Sequence, residues 1–202
     1  MTKGQQTRQR IVAAAAPIFN QHGYAGSSLA DLMKATGLEK GGIYRHFSSK
    51  EELAAEAFDY TWAEARRVRL PDADPNDGAI PWLKEVIANF VDRKSPIAGG
   101  CPLLNTAIEA DDGNPILRAR VSKALRAWVT RLEIVVADGL ERGELRPDVD
   151  PKQVAAIIVA TLEGGLMMNR LERGDETLRR IQRHLNGYLD TEVALAKPRA
   201  RS

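Results

Sequence analysis

The sequence predicts an all-α fold of about nine helices, and three observations carry that expectation. Apolar residues recur at helical spacing in nearly every readable stretch of the 202 residues. No stretch alternates apolar and polar as a half-buried strand does, and no internal repeat is present. Pro, Gly, Asn and Ser fall between the periodic stretches, where helices begin and end.

Residues 5–22 place Ile11, Ala14, Ala15, Ile18 and Phe19 on one face, and His22-Gly23 ends that helix. Pro17 lies inside the pattern, where it removes a hydrogen bond and predicts a kink. Ser28 can cap a short helix striped by Leu29, Leu32 and Met33. Thr36-Gly37 closes it, because glycine takes the left-handed conformation a helix stop demands. Leu38 returns to the core. Lys40 to Phe47 then form a second helix, with Ile43 and Phe47 inward and Lys40, Gly41, Gly42, Tyr44, Arg45 and His46 outward. Two short helices joined by a tight turn, the second basic and aromatic outside, are built like a helix-turn-helix DNA reader.

Ser48 or Ser49 can cap a helix over residues 50–69, with Glu51 and Glu52 favouring its positive end and Leu53, Ala57, Tyr60, Trp62 and Ala65 lining it. Residues 70–80 are a loop rich in Pro, Asp and Gly. A helix over 81–94 and a second loop come next. Cys101-Pro102 opens a helix to Ala110, with proline where a missing N–H is harmless. Asn114-Pro115 repeats the device. The helix from there to Arg142 carries Leu117, Val121, Leu125 or Ala124, Trp128, Leu132, Val135, Val136 and Leu140, and would span about 42 Å as the spine of its domain. Gly143 to Asp150 is a turn. Residues 151–172 form an unusually apolar helix, 175–195 a last amphipathic one, and 196–202 a disordered tail.

Composition narrows the class. A single cysteine excludes an intramolecular disulfide and suits a reducing compartment. No run of about eighteen apolar residues and no signal-peptide pattern is read, so a cytoplasmic protein without a membrane span is expected. The net charge of +2 hides an asymmetry: residues 1–50 hold seven Lys/Arg against two acids, while the rest carries a net −3. A basic head on a mildly acidic body is what a chain needs when one end meets phosphate.

The head resembles the DNA-binding domain of the tetracycline-repressor (TetR) family of bacterial transcription regulators. The resemblance rests on Arg10 to Ala15, Phe19, Gly23-Tyr24, Ser28 to Leu32, Gly37-Leu38 and Lys40 to Leu53, about a quarter of the chain. Gly100 to Asn105 and Glu109 are similar to one branch of that family. Two departures stand out: Pro17 interrupts a helix that relatives keep whole, and Gly41-Gly42 lacks the usual hydroxyl residue after the first glycine. The resemblance implies a head at 1–50, a connecting helix at 50–69, and a ligand-binding and dimerisation body at 70–195. It also implies a homodimer on a near-palindromic double-stranded DNA operator, released by a small-molecule effector.

Candidate residues emerge from these readings. Lys40 and Arg45 suit base or phosphate contact, Tyr44, Lys50 and the Ser28 cap suit phosphate, and Gly41 and Gly42 permit close backbone approach. His46 divides evenly between DNA contact and packing. Trp82, Phe90, Leu104 and Trp128, with Leu103, Ile108 and Leu125 beside them, suit the wall of an apolar pocket. Asn105 and Glu109, one turn apart, suit its polar end. Val154, Ile158, Leu162, Gly165, Leu166 and Leu185 supply apolar surface beyond what one docking face needs, which suits a dimer interface.

Cys101, at a helix N-terminus, suits a thiol sensor of electrophiles or oxidants, or else a small buried residue. The three histidines are widely spaced and no catalytic constellation is read, so no metal, no cofactor and no enzyme activity is expected. The leading expectation is a ligand-responsive repressor. A Cys101 sensor and an all-α enzyme or small-molecule carrier are the alternatives.

Overall fold

The computed structural model describes residues 1–71 and 74–196. Residues 197–202 of the expected tail lie outside the described residues. Among those described, nine α-helices occur in order: α1 (Lys3–Gly26), α2 (Leu29–Thr36), α3 (Lys40–Tyr44), α4 (Lys50–Arg69), α5 (Ala79–Asp92), α6 (Pro102–Gly113), α7 (Pro115–Glu141), α8 (Pro151–Glu172) and α9 (Glu176–Tyr188). The described residues form no sheet, only an isolated antiparallel bridge between Leu145 and Ala194.

The helix starts obey local chemistry. Ser28 and Asp31 form a reciprocal capping box on α2, and Gly37 closes it at φ 68°. Asn114 Oδ1 accepts from the backbone N–H of Ile116 and Leu117 at 3.1 Å each, which caps α7. Three boundaries differ from expectation. The kink expected at Pro17 is absent, its backbone staying helical, while the stop expected at His22-Gly23 appears as a break at Gly23 (φ 73°, ψ 175°) inside a helix that runs on to Gly26. The helix expected over 40–47 stops at Tyr44 and continues as a turn, in which His46 N donates to Ile43 O at 2.9 Å. The last helix ends at Tyr188 and widens into a π turn, Leu189–Val193, where Ala194 N reaches back five residues to Leu189 O.

The chain divides into two compact units, residues 1–68 with 95–125 and residues 69–94 with 126–202. The division is not the linear one expected at residue 70, because α6 and the start of α7 join the N-terminal helices. The first unit has a core of Ile11, Val12, Ala15, Leu32, Ile43, Phe47 and Leu53. Burying Ile43 and Phe47 to 1% and 2% exposure stabilises it by about 1.5–3 kcal/mol each. A second cluster unites Ala54 and Ala55 of α4 with Ala110 and Leu117. Tyr60, expected to line α4, is exposed, and Phe58 is buried in its neighbourhood of the helix instead.

The second unit packs α5 and α8 against α9. Trp82, Leu83, Val86, Ile87 and Phe90 of α5 are buried in it, as are Trp128, Leu132, Val135 and Val136 of α7. The surface proposed from sequence for a dimer needs correction here. Val154, Ile158, Leu162 and Leu185 are buried inside this unit, and a side chain at Gly165 would fall on Ile181 of α9. These residues are occupied by the chain's own packing.

One helix bears on the expectation that no segment spans a membrane, by length and composition only. α8 is long and apolar enough to cross one, with mean hydropathy 1.4 over an 18-residue window. Ala, Val and Ile, interrupted only by isolated charges, produce that value. A third of the window is buried within the chain.

Gly99 shows how closely the first unit is closed. Its φ of 115° is one that side chains avoid, and an added Cβ would lie 2.6 Å from the carbonyl oxygen of Asn20. Gly99→Ala should therefore lower stability by about 2–4 kcal/mol, read as a fall in the urea midpoint with an unchanged slope.

Candidate nucleic-acid interface

The α2–turn–α3 segment begins with Ser28, whose Oγ accepts from Asp31 N at 3.1 Å and donates to Asp31 Oδ2 at 2.6 Å. These bonds hold the Asp31 carboxyl below the usual carboxylate range. The hydroxyl of Ser28 is thus committed to the cap. Below the turn, Ile43 and Phe47 pin α3 from inside. Outward, Lys40, Gly41, Tyr44 and Arg45 are exposed, and a Cβ at Gly41 would meet open space. Lys34, Lys40 and Arg45 take part in none of the ion pairs among the described residues, so their charge faces solvent. Lys34, in the last turn of α2, was not singled out from sequence.

Three residues grouped with this face sit differently. Gly42 turns inward, where a Cβ would lie 3.3 Å from Leu38 Cβ, so its missing side chain makes room for the core. The backbone carbonyl of the half-buried His46 accepts from the Arg8 guanidinium. Lys50 Nζ donates to the Tyr24 carbonyl at 2.5 Å and lies 4.4 Å from the centre of the Tyr24 ring, so its ammonium is tethered to the protein.

Two polar clusters that sequence reading missed position this face. Arg8 of α1 lies 4.1 Å over the Phe47 ring and donates to Glu52 and Glu56 of α4 at 2.5 Å each. One guanidinium thereby joins α1, the exit of α3 and α4. Its signal in the sequence is the Glu52/Glu56 pair at i, i+4, two like charges on one helix face that call for a cation between them. The second cluster sits at Gly23, whose left-handed backbone presents the next two amides together. Tyr24 N and Ala25 N both donate to the Glu109 carboxylate at 2.5 Å. Asn105 Nδ2 donates to Asn20 O at 2.9 Å and to Gly99 O at 2.8 Å. Tyr24 also donates its hydroxyl to Glu51, and burial with that bond pushes its pKa up to about 12.

These contacts correct the expected pocket. Asn105 and Glu109 are engaged with the end of α1 and so are not poised for a ligand. Ile108 is 74% exposed and Leu125 40% exposed, so neither lines an interior wall. Trp82, Phe90 and Trp128 belong to the second compact unit, whereas Leu104, Asn105 and Glu109 belong to the first. Within the second unit, Phe90 and Trp128 stack with centroids 6.0 Å apart. Cys101 is fully buried at the start of α6, without the exposure a reactive thiol requires.

The Glu52 carboxyl is held at about 2, first by the Ser48 hydroxyl and backbone N–H and then by Arg8. An unfolded glutamate titrates near about 4.3. The stabilisation is therefore complete above that value and is lost as pH falls through about 2. Arg8→Met should raise the Glu52 pKa and move acid unfolding of α1–α4 to higher pH. Carboxyl carbon NMR titration and far-UV circular dichroism between pH 2 and 6 would read both changes.

Comparison with known proteins bears on what this face does. Residues 11–57 match the family described as bacterial regulatory proteins, tetR family, and residues 79–185 match the tetracyclin repressor-like C-terminal domain. A TetR transcriptional regulator from Chloroflexus aurantiacus is 44% identical, with a TM-score of 0.89 over 97% of this chain and 100% of that one. A TetR-family regulator from Cytophaga hutchinsonii is 32% identical, also at 0.89, over 98% and 99% of the two chains. The transcriptional repressor DhaR of Mycobacterium sp. is 25% identical, covering 85% of this chain and 86% of its own length.

Proposed function

This chain belongs to the tetR family of bacterial regulatory proteins, and on that footing we propose how it acts. It is a helix-turn-helix, DNA-binding regulator of transcription, and it acts as a repressor that a small ligand releases from its operator. The observation that carries this reading is α3 itself. Its inner face is locked by Ile43, while Lys40, Tyr44 and Arg45 stand exposed and Gly41 opens onto free space. Such a surface enters a major groove, with Arg45 placed for a base edge and Lys40 and Tyr44 for phosphate or base. The tethered Lys50 supports the Tyr24 corner and contributes less to DNA than the solvent-facing cations do.

Two heads on one near-palindromic operator require a two-fold dimer. Support for its surface comes from the face of α8 that this chain leaves uncovered. Ala156, Ala160, Met167, Met168 and Leu171 are exposed, and a Cβ at Gly164 would meet nothing within 4 Å. These positions succeed one another at helical spacing, on the side away from Val154, Ile158 and Leu162. A second copy of α8 laid on this stripe would bury the apolar surface left over.

Release requires a ligand that binds the DNA-competent and DNA-incompetent states differently. Its receptor in this reading is the aromatic group Trp82, Phe90 and Trp128. The fastening of α6 onto α1 through Glu109 and Asn105 supports a route by which movement of α6 reaches the head.

Gel-shift titrations on the promoter region next to this gene test the DNA face. Lys40→Ala should weaken binding to all sequences and reduce the slope of log K against log salt by about one. Arg45→Ala should cost about 1–3 kcal/mol at one base pair of each half-site. Unchanged binding in both variants would remove α3 from the interface.

Met168→Lys tests the α8 face by sedimentation velocity. It should raise the dimer dissociation constant about thirtyfold, equivalent to about 2 kcal/mol. A dimer of wild-type strength would place the interface elsewhere.

A further inference from the structure

Two buried hydrogen-bond donors in α5 have no partner among the described residues. Trp82 is 3% exposed and Asn89 5% exposed, yet Trp82 Nε1 and Asn89 Nδ2 meet no acceptor. Buried polar groups in folded proteins are nearly always paired, so two orphan donors on one helix ask for an explanation. They are seven residues apart, about two helical turns, and so share a face of α5. An indole N–H can only donate, which fixes the sense of the missing partner as an acceptor.

Their surroundings narrow the chemistry further. Phe90, beside Asn89 in the chain, stacks on Trp128 with an interplanar angle of 9°. The Arg69 guanidinium lies 4.3 Å from the centre of the Phe90 ring, and that of Arg131 lies 5.4 Å from the Trp82 ring. Arg69 is itself buried. Rings and unanswered donors thus lie along one helix, α5, of the second unit, with a guanidinium over each of two rings.

We propose that the effector is a flat aromatic molecule that carries an oxygen acceptor, carbonyl or carboxylate, and no positive charge. It is received by the α5 and α7 aromatics, with its oxygen taken by Asn89 Nδ2 or Trp82 Nε1. This rests on the reading of the chain as a ligand-released regulator and adds the chemistry of what releases it. An ammonium ligand would bring a further donor to two donors and leave both without an acceptor. A plain hydrocarbon would bury apolar surface and leave both donors as they are.

The test uses the full-length protein and four matched compounds in equilibrium dialysis: 2-naphthoate, 2-acetylnaphthalene, naphthalene and 2-naphthylmethylammonium. One or both acceptor-bearing compounds should bind about tenfold or more tighter than naphthalene and the ammonium compound. Tighter binding of the naphthoate identifies a carboxylate effector, and tighter binding of the ketone a neutral carbonyl. Trp82→Phe, which keeps a ring and deletes the N–H, and Asn89→Leu should each bring the ratio of acceptor-compound to naphthalene affinity, measured within the same variant, down toward one. Equal binding of all four compounds, preference for the ammonium, or a preference undiminished in both variants would overturn the proposal.

Operator release, measured in parallel by fluorescence anisotropy, separates this inference from the reading beneath it. Acceptor-selective binding without release supports the site and counts against ligand-released repression. Release that ignores the acceptor overturns the site and leaves the regulator standing.

Discussion

The geometry of the DNA face depends on one guanidinium. Arg8 stacks on Phe47, takes the carbonyl of His46 and pairs with Glu52 and Glu56, so three helices converge on a single planar group. α3 has only five residues, too few to hold itself together, because the first turn of any helix costs more conformational entropy than it returns. Its orientation must come from packing beneath it and from the anchoring of its C-terminal exit. Ile43 and Phe47 supply the packing, and Arg8 fixes the residues that leave the helix. A planar fork that binds carboxylates and stacks on a ring can do this where a flexible lysine could not.

Much of the fold was legible because its signals are local. Ser28, Gly37 and Asn114 cap or stop helices by chemistry that acts within a few residues, and each does so in the structure. The boundaries that moved were set by less local effects. Pro17 keeps a helical backbone, so the kink that its missing N–H predicts does not form. The break falls at Gly23, where His22-Gly23 predicts a stop, but what the sequence does not show is that its left-handed backbone turns the Tyr24 amide toward Glu109, 85 residues further along the chain. The helix expected over 40–47 stops at Tyr44 since Phe47 must turn into the core, a demand periodicity alone does not reveal.

The candidate sites were legible in residue type more than in direction. The exposed face of α3 could be read from its pattern, whereas the tether of Lys50 and the inward turn of Gly42 depend on Tyr24 and Leu38 as neighbours in space. Apolar surplus on α8 was visible in the sequence, but the share covered by α9 was not. Of the residues first assigned to a partner, Val154, Ile158, Leu162, Gly165 and Leu185 are buried in the chain's own packing and Leu166 is half-buried, while the exposed ones are the alanines and methionines between them. The polar pair on α6 misled for a related reason: Asn105 and Glu109 have the spacing of a ligand clamp, and the ligand is the end of α1.

The exposed stripe of α8, where the proposed dimer forms, has a consequence for dosage. A chain whose exposed apolar stripe is buried by a second copy gains stability by mass action, so on the proposed interface its melting temperature would rise with its own concentration. While monomers predominate, the population able to occupy both halves of an operator grows as the square of the total protein. A halving of synthesis would then remove about three-quarters of the competent species. The regulated promoter would respond to the abundance of its regulator as a threshold, before any small molecule intervenes.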